Sequence, residues 1–182
     1  MQRFKTSLFA LALLITIGAT FVNCNMEVND IGFLDDSLNK IEANILYQDS
    51  INIDVSKVPV AWHLDHTLKT INGIYDAMEA SNPDDFNSSF NMPRVMSLTL
   101  NYIPRGRAQS PTAVLPPEII EKEALYRQLK EARENVKMAF QLDEHAHFEH
   151  PVFGIIARGN SLRFLEVHTE HHLKIIRDIL KE

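Results

Sequence analysis

The sequence predicts an all-α protein, a four-helix bundle with a long crossover between helices 2 and 3, and three observations carry that prediction. Beyond the first two dozen residues, four segments repeat apolar side chains at the three- and four-residue spacing of an amphipathic helix. Glycines number six in 182 residues, too few for a chain built on tight turns. Six of the eight prolines fall in one connection of about 35 residues between the second and third segments, so regular structure is interrupted mainly in one place.

The first helix is expected over about 34–48, with Leu34, Leu38, Ile41, Ile45 and Leu46 on one side and Asp36 and Ser37 near its start. The second spans about 58–80. It opens at Pro59, runs through Val60, Leu64, Leu68, Ile71, Ile74 and Met78, and ends before Asn82-Pro83, where the ring of Pro83 forbids continuation. The third follows Pro116-Pro117, has glutamates in its first turns as the helix dipole favours, and carries the stripe Ile119, Leu125, Leu129, Val136 and Phe140. The fourth covers about 160–181, with Asn160 or Ser161 as its N-cap. Inside the crossover, "RVMSLTLNYI" (94–103) suits a short helix or a strand.

The chain divides into residues 1–24 and a domain over 30–182. Residues 1–24 place Arg3 and Lys5 before an apolar run over 8–22 and contain no acidic side chain, the layout of a signal peptide, lipoprotein signal or membrane anchor. The run is short for a bilayer span of ~20 residues. Cys24 is the single cysteine, so no intramolecular disulfide can form, and it stands where a lipid-anchor cysteine would. The expectation is an exported protein, held at the bacterial cell envelope or periplasm through its N-terminus only. Without residues 1–24, 16 basic side chains face 24 acidic ones, a net of −8 that a nucleic-acid backbone would repel.

Three of the eight histidines lie in "FLEVHTEHHLKII" (164–176). On a helical wheel Leu165, His168, His172, Ile176 and Ile179 share a face about 80° wide, whereas His171 falls about 100° from its centre, as a flanking group. His168 and His172 thus stand one turn apart on a stripe that should be buried, the arrangement by which one helix offers two nitrogens to one metal. The other use of such a pair is structural, each imidazole hydrogen-bonded inside the core.

A third ligand would come from "VPVAWHLDHTLKTI". His63 sits at the border of the apolar stripe of helix 2, and His66 about 140° from its centre; His63 is the better placed, and His66 stays open. His145, His147 and His150 in "DEHAHFEHPVFG" alternate with acidic residues and read as a solvated turn, with His150-Pro151 fixing the entry to helix 4. Glu166, Glu170 and Asp65 are candidates to orient ligating imidazoles from outside the coordination shell, with His171 beside them. Arg105 and Arg107 read as an exposed basic loop or as a contact for an anionic substrate. There is no G-x-S-x-G, P-loop, Gly-rich dinucleotide turn or H-E-x-x-H, and the lone cysteine excludes thiol catalysis within the domain.

"WHLDHTLKTINGI", "IPRGRAQSP…VLPPE" and "HPVFG…FLEVHTEHHLKII" together resemble the DinB-like (YfiT-like) superfamily over about residues 55–181, most of all a branch of domains of unknown function found in Bacteroidota. The H-x-x-H-H close is the most specific part. The resemblance implies a four-helix bundle holding a metal through three histidines, two of them His168 and His172. The family's first ligand follows a Ser or Thr by about seven residues in a V-x-x-H-L pattern; Ser56 and "VAWHL" match this at His63, and a shifted reading of "HLDH" selects His66. Characterised relatives include metal-dependent thiol transferases acting on low-molecular-weight thiols, cytosolic enzymes from which the N-terminal signal is a departure.

Three imidazoles leave coordination positions open, the mark of a catalytic metal, and imidazole donors favour Zn²⁺ or Ni²⁺, with Fe²⁺ also accommodated. The expected function is a metal-dependent hydrolase or transferase acting on a small molecule, with a homodimer among the assemblies it permits. The alternative is a non-enzymatic envelope-associated helical bundle that binds a ligand or partner.

Overall fold

The computed structural model describes residues 28–106 and 109–181. Helix α1 spans Asp35–Asn44 and is continued by a 3-10 turn, Ile45–Tyr47; α2 spans Val60–Glu79, α3 Met92–Leu100, α4 Lys122–Ala139 and α5 Arg158–Leu180. A hairpin of β1 (His147–His150) and β2 (Gly154–Ala157) precedes α5. The molecule is therefore mostly helical, with one small antiparallel sheet that the all-α expectation did not include.

α1 carries Asp35 and Asp36 in its first turn, where the exposed N–H groups favour negative charge, and it buries Leu34, Leu38, Ile41 and Ile45 completely or nearly so. Leu46, expected with that stripe, is 68% exposed: one residue on from Ile45, it lies about 100° farther around the helix. α2 is the central element. It packs against α4, α5, the hairpin and the 3-10 turn Thr112–Val114, and its buried residues run around most of its circumference. A helix covered on so many sides has no single wet face, so a one-stripe wheel misjudges which of its polar residues are inside.

α3 decides the ambiguous crossover segment in favour of a helix. Asn91 caps it by accepting from the Arg94 N–H at 2.8 Å, Pro93 sits in its first turn, and Asn101 in the left-handed region (φ +52°) ends it. α3 rests on α5 and buries only Leu98 fully, leaving Met92, Met96 and Leu100 exposed.

α4 begins at Lys122 rather than directly after Pro117. Its buried stripe is Leu125, Leu129, Ala132, Val136 and Ala139. Continued upstream, the same helix would place Ile119 about 120° from that stripe, so the added turn would bury little. Ile119 is instead 74% exposed in a bend before the helix.

The hairpin pairs His147 with Ala157, Phe148 with Ile156, Glu149 with Ile155 and His150 with Gly154. Gly154, at φ +68°, supplies the left-handed residue of its turn. A two-stranded hairpin is marginal by itself; here Phe148 and Ile156 insert into the shared core. α1, α2, α4 and α5 contribute most of that core. No helix among the described residues is long and apolar enough to cross a membrane. Residues 1–24, including Cys24, lie outside the described residues.

Candidate metal centre

α2 and α5 pack against each other and each presents two histidines to the other. From α2 come His63 and His66, one turn apart by the three-residue spacing, and from α5 His168 and His172 by the four-residue spacing. His66, His168 and His172 form a group whose candidate ligand nitrogens all lie within 4.8 Å of one another. Nε2 of His168 and Nε2 of His172 are 3.2 Å apart. Two nitrogens each ~2.05 Å from one ion would show that separation at a ligand–metal–ligand angle of about 103°, close to tetrahedral.

The second nitrogens of these rings show how the cluster is held. Nδ1 of His66 lies 2.9 Å from the carbonyl oxygen of Val114. A carbonyl can only accept, so His66 carries its proton on Nδ1 and offers Nε2 as a lone pair. Trp62 stacks on the same ring, centroids 4.9 Å apart and 18° between planes. Val114 is the residue that reading the sequence missed. It acts through its backbone from a turn 48 residues away, and no side-chain pattern announces that.

His63 takes a different position. Its Nδ1 is 3.0 Å from Nδ1 of His172, and its Nε2 is 3.0 Å from the hydroxyl of Ser56. That hydroxyl also lies 3.0 Å from the Val58 carbonyl and accepts the Val58 N–H. One arrangement of protons satisfies all four contacts. Ser56 donates to the carbonyl, His63 Nε2–H donates to Ser56, and His172 Nδ1–H donates to His63. His172 Nε2 is then a lone pair facing the cluster. His63 is thus bonded to Ser56 and His172, while His66 joins His168 and His172 in the three-histidine group, although the wheel of α2 placed His63 nearer the core. Both are in fact buried, at 5% and 4% exposure.

Burial governs the charge of the whole group. It pushes His63 down to about 4, with His66, His171 and Arg105 adding to the effect. His66 is lowered for the same reason, against an opposing hydrogen bond to Val114. His168 and His172 are held well below the ordinary imidazole range, again by burial first and neighbouring imidazoles second. The rings are therefore neutral at neutral pH, the form in which imidazole binds metal. Nδ1 of His168 is buried without a hydrogen-bond partner. The fit to a cation rests on the facing nitrogens themselves: Nε2 of His168 and Nε2 of His172 stand 3.2 Å apart on neutral rings, with His66 in reach of both.

The carboxylates expected to orient the imidazoles do something else. Asp65 accepts from Gln128 at 2.8 Å and pairs with Lys69 at 2.8 Å, tying α2 to α4. Glu170 pairs with Arg177 at 2.8 Å, and Glu166 pairs with Arg163. None of the three is hydrogen-bonded to a cluster imidazole, because each sits on a helix face turned toward its cationic partner. His171 is set edge-on to His172 (centroids 5.1 Å, 87°) and donates to the Ile103 carbonyl, with its pKa pushed down to about 4 by burial and by Arg105. Arg105 pairs with Asp178 at 2.7 Å, and Arg107 lies outside the described residues.

The hairpin histidines stay apart from the cluster in their bonding. Nδ1 of His147 is bonded to the His145 carbonyl at 3.0 Å, and Nδ1 of His150 accepts the backbone N–H groups of Val152 and Phe153 at 3.1 and 3.0 Å.

The described geometry thus gives a three-histidine group, His66, His168 and His172, able to hold a metal ion. The chain matches no protein-family model, no curated protein and no solved structure.

Proposed function

We propose that the domain is a four-helix bundle of the DinB-like kind and a metal-dependent hydrolase or transferase, with His66, His168 and His172 as its ligands. The observation that carries this reading is the approach of three neutral imidazoles from two helices, His66 and His172 buried and His168 half-buried, to within 4.8 Å of one another. Three protein ligands leave room for a water or substrate, as catalytic sites do and structural zinc sites do not. A divalent ion held there, Zn²⁺ or Ni²⁺ by the preference of imidazole donors, supplies a Lewis acid that brings the pKa of a bound water or thiol toward neutrality.

The chain's own residues do the rest. Val114 fixes the tautomer and rotation of His66, and the Ser56–His63 pair fixes those of His172. Trp62 covers the His66 ring and helps exclude bulk water. Export and membrane attachment through the apolar run over 8–22 and Cys24 belong to the same proposal, which places the reaction in the envelope and the substrate among small molecules available there.

Metal analysis of the gently purified protein tests the reading. About one ion per chain is expected, together with thermal stabilisation by added Zn²⁺ or Ni²⁺. A metal-free protein that neither ion stabilises would sink it.

A second reading is a non-enzymatic bundle that binds a partner, favoured by the exposed apolar face of Phe90, Met92, Met96, Leu100 and Tyr102. Under it, His168→Ala and His172→Ala destabilise the fold, and metals leave the melting temperature unchanged.

A further inference from the structure

Beside the imidazole cluster lies an open cleft of about 630 Å³, a volume suited to a small metabolite. One wall is α5, which presents His171, Lys174 and Asp178; the other is the irregular crossover segment after α3, with Tyr102, Ile103 and Arg105. His171 belongs to both structures. It lines the cleft, and its ring meets that of His172 edge-on at 5.1 Å. A molecule seated in the cleft is therefore one imidazole away from the ligand set.

The charges of the cleft are unusual for an acidic domain. Arg105 and Lys174 contribute two positive charges and Asp178 one negative, which leaves a single positive charge. Arg105 is paired with Asp178 at 2.7 Å, but the two side chains are 46% and 52% exposed. An ion pair that open to water contributes little net stability and is readily exchanged. An incoming carboxylate can take the place of Asp178 and meet the guanidinium with both oxygens, with Lys174 as a second donor. Tyr102, 61% exposed, and Ile103 offer an apolar surface for the remainder of such a molecule.

We propose that this cleft binds small organic monocarboxylates with an apolar body, head group on Arg105 and body along Tyr102 and Ile103. The inference rests on the metal-site reading only for what is then done to the ligand. A phosphate dianion is disfavoured, since it would exceed the single net charge and face Asp178.

The test uses hexanoate, its uncharged counterpart hexanamide, and inorganic phosphate, titrated into the full chain by NMR with a chelator present so that no ion can bind the carboxylate. Hexanoate is expected to bind about tenfold more tightly than hexanamide, and Arg105→Gln to remove about that factor. Asp178→Asn removes the competing anion and is expected to raise hexanoate affinity severalfold. Both positions are on the surface, so the variants retain the fold. Equal binding of hexanoate and hexanamide, an unaltered affinity in Arg105→Gln, or tighter binding of phosphate than of hexanoate would each overturn the proposal. Zn²⁺ affinity, measured on the same proteins without chelator, reports on the metal reading alone, so the two can fail separately.

Discussion

The molecule contains two groups of histidines that differ in how their nitrogens are used. In the hairpin, the Nδ1 lone pair of His150 receives two backbone N–H groups, and Nδ1 of His147 is bonded to a carbonyl of its own turn. Between α2 and α5, imidazole faces imidazole, and Nδ1 of His168 has no partner at all. Both groups include rings whose pKa burial pushes down to about 4, as at His63 and His150. Burial and a lowered pKa therefore do not separate a binding site from a structural turn. What separates them is whether the rings bring their remaining nitrogens together, as His66, His168 and His172 do.

The sharpest way to break this contrast is to remove ligands from one group and a histidine from the other. His168→Ala with His172→Ala should lower Zn²⁺ affinity by more than about a hundredfold in a chelator competition, as loss of two of the three proposed ligands requires. His150→Ala should leave it within about twofold. Comparable losses in both proteins would erase the distinction.

The orienting residues should have the next largest effect. His63→Gln or Ser56→Ala removes the partner that fixes His172 without removing a ligand, and groups in that position typically contribute 10- to 100-fold to metal affinity. An effect as large as that of His66→Ala would make His63 a ligand in its own right.

Acid should expose the hairpin. His150 is neutral in the folded protein with a pKa of about 4, against an ordinary value of 6.5 when unfolded. Between those values the unfolded state binds the extra proton, so stability present above pH 6.5 is lost as the pH falls toward 4. Urea unfolding of the chelated protein across this window should show a slope smaller by up to ~1.4 kcal/mol per pH unit in His150→Gln than in the wild type. Equal slopes would mean that His150 is not held neutral by the fold.

The smallest effect is expected at Glu170, whose partner is Arg177 and not an imidazole. Glu170→Gln should change stability by no more than about 0.5–1 kcal/mol and metal affinity not at all. A clear loss of Zn²⁺ binding in this variant would restore Glu170 to an orienting role.

The helices were legible because apolar residues at helical spacing report directly on a buried face: Leu38 and Ile41, Leu125 through Val136, and Leu165 through Ile179 are buried as their spacing requires. The hairpin was not legible. Four-residue strands alternate too few times to show a period, and its histidines and acids look like a solvated turn. Of the cluster, the α5 pair follows from position on a stripe. His66 did not follow in the same way, since α2 is enclosed on several sides and its apolar side chains alone do not mark all of its inward face. The partners of Asp65 and Glu170, Lys69 and Arg177, were not legible, because sequence separation says nothing about which cation a carboxylate will meet.

The bond from His66 to Val114 has a consequence of its own. The group that holds the ring is a main-chain oxygen, and every amino acid supplies one. Position 114 is therefore free to drift in identity while the turn Thr112–Val114 keeps its shape. A protein could keep this arrangement intact and share no side chain with it at that point. The crossover can then diverge until its letters no longer betray what it supports.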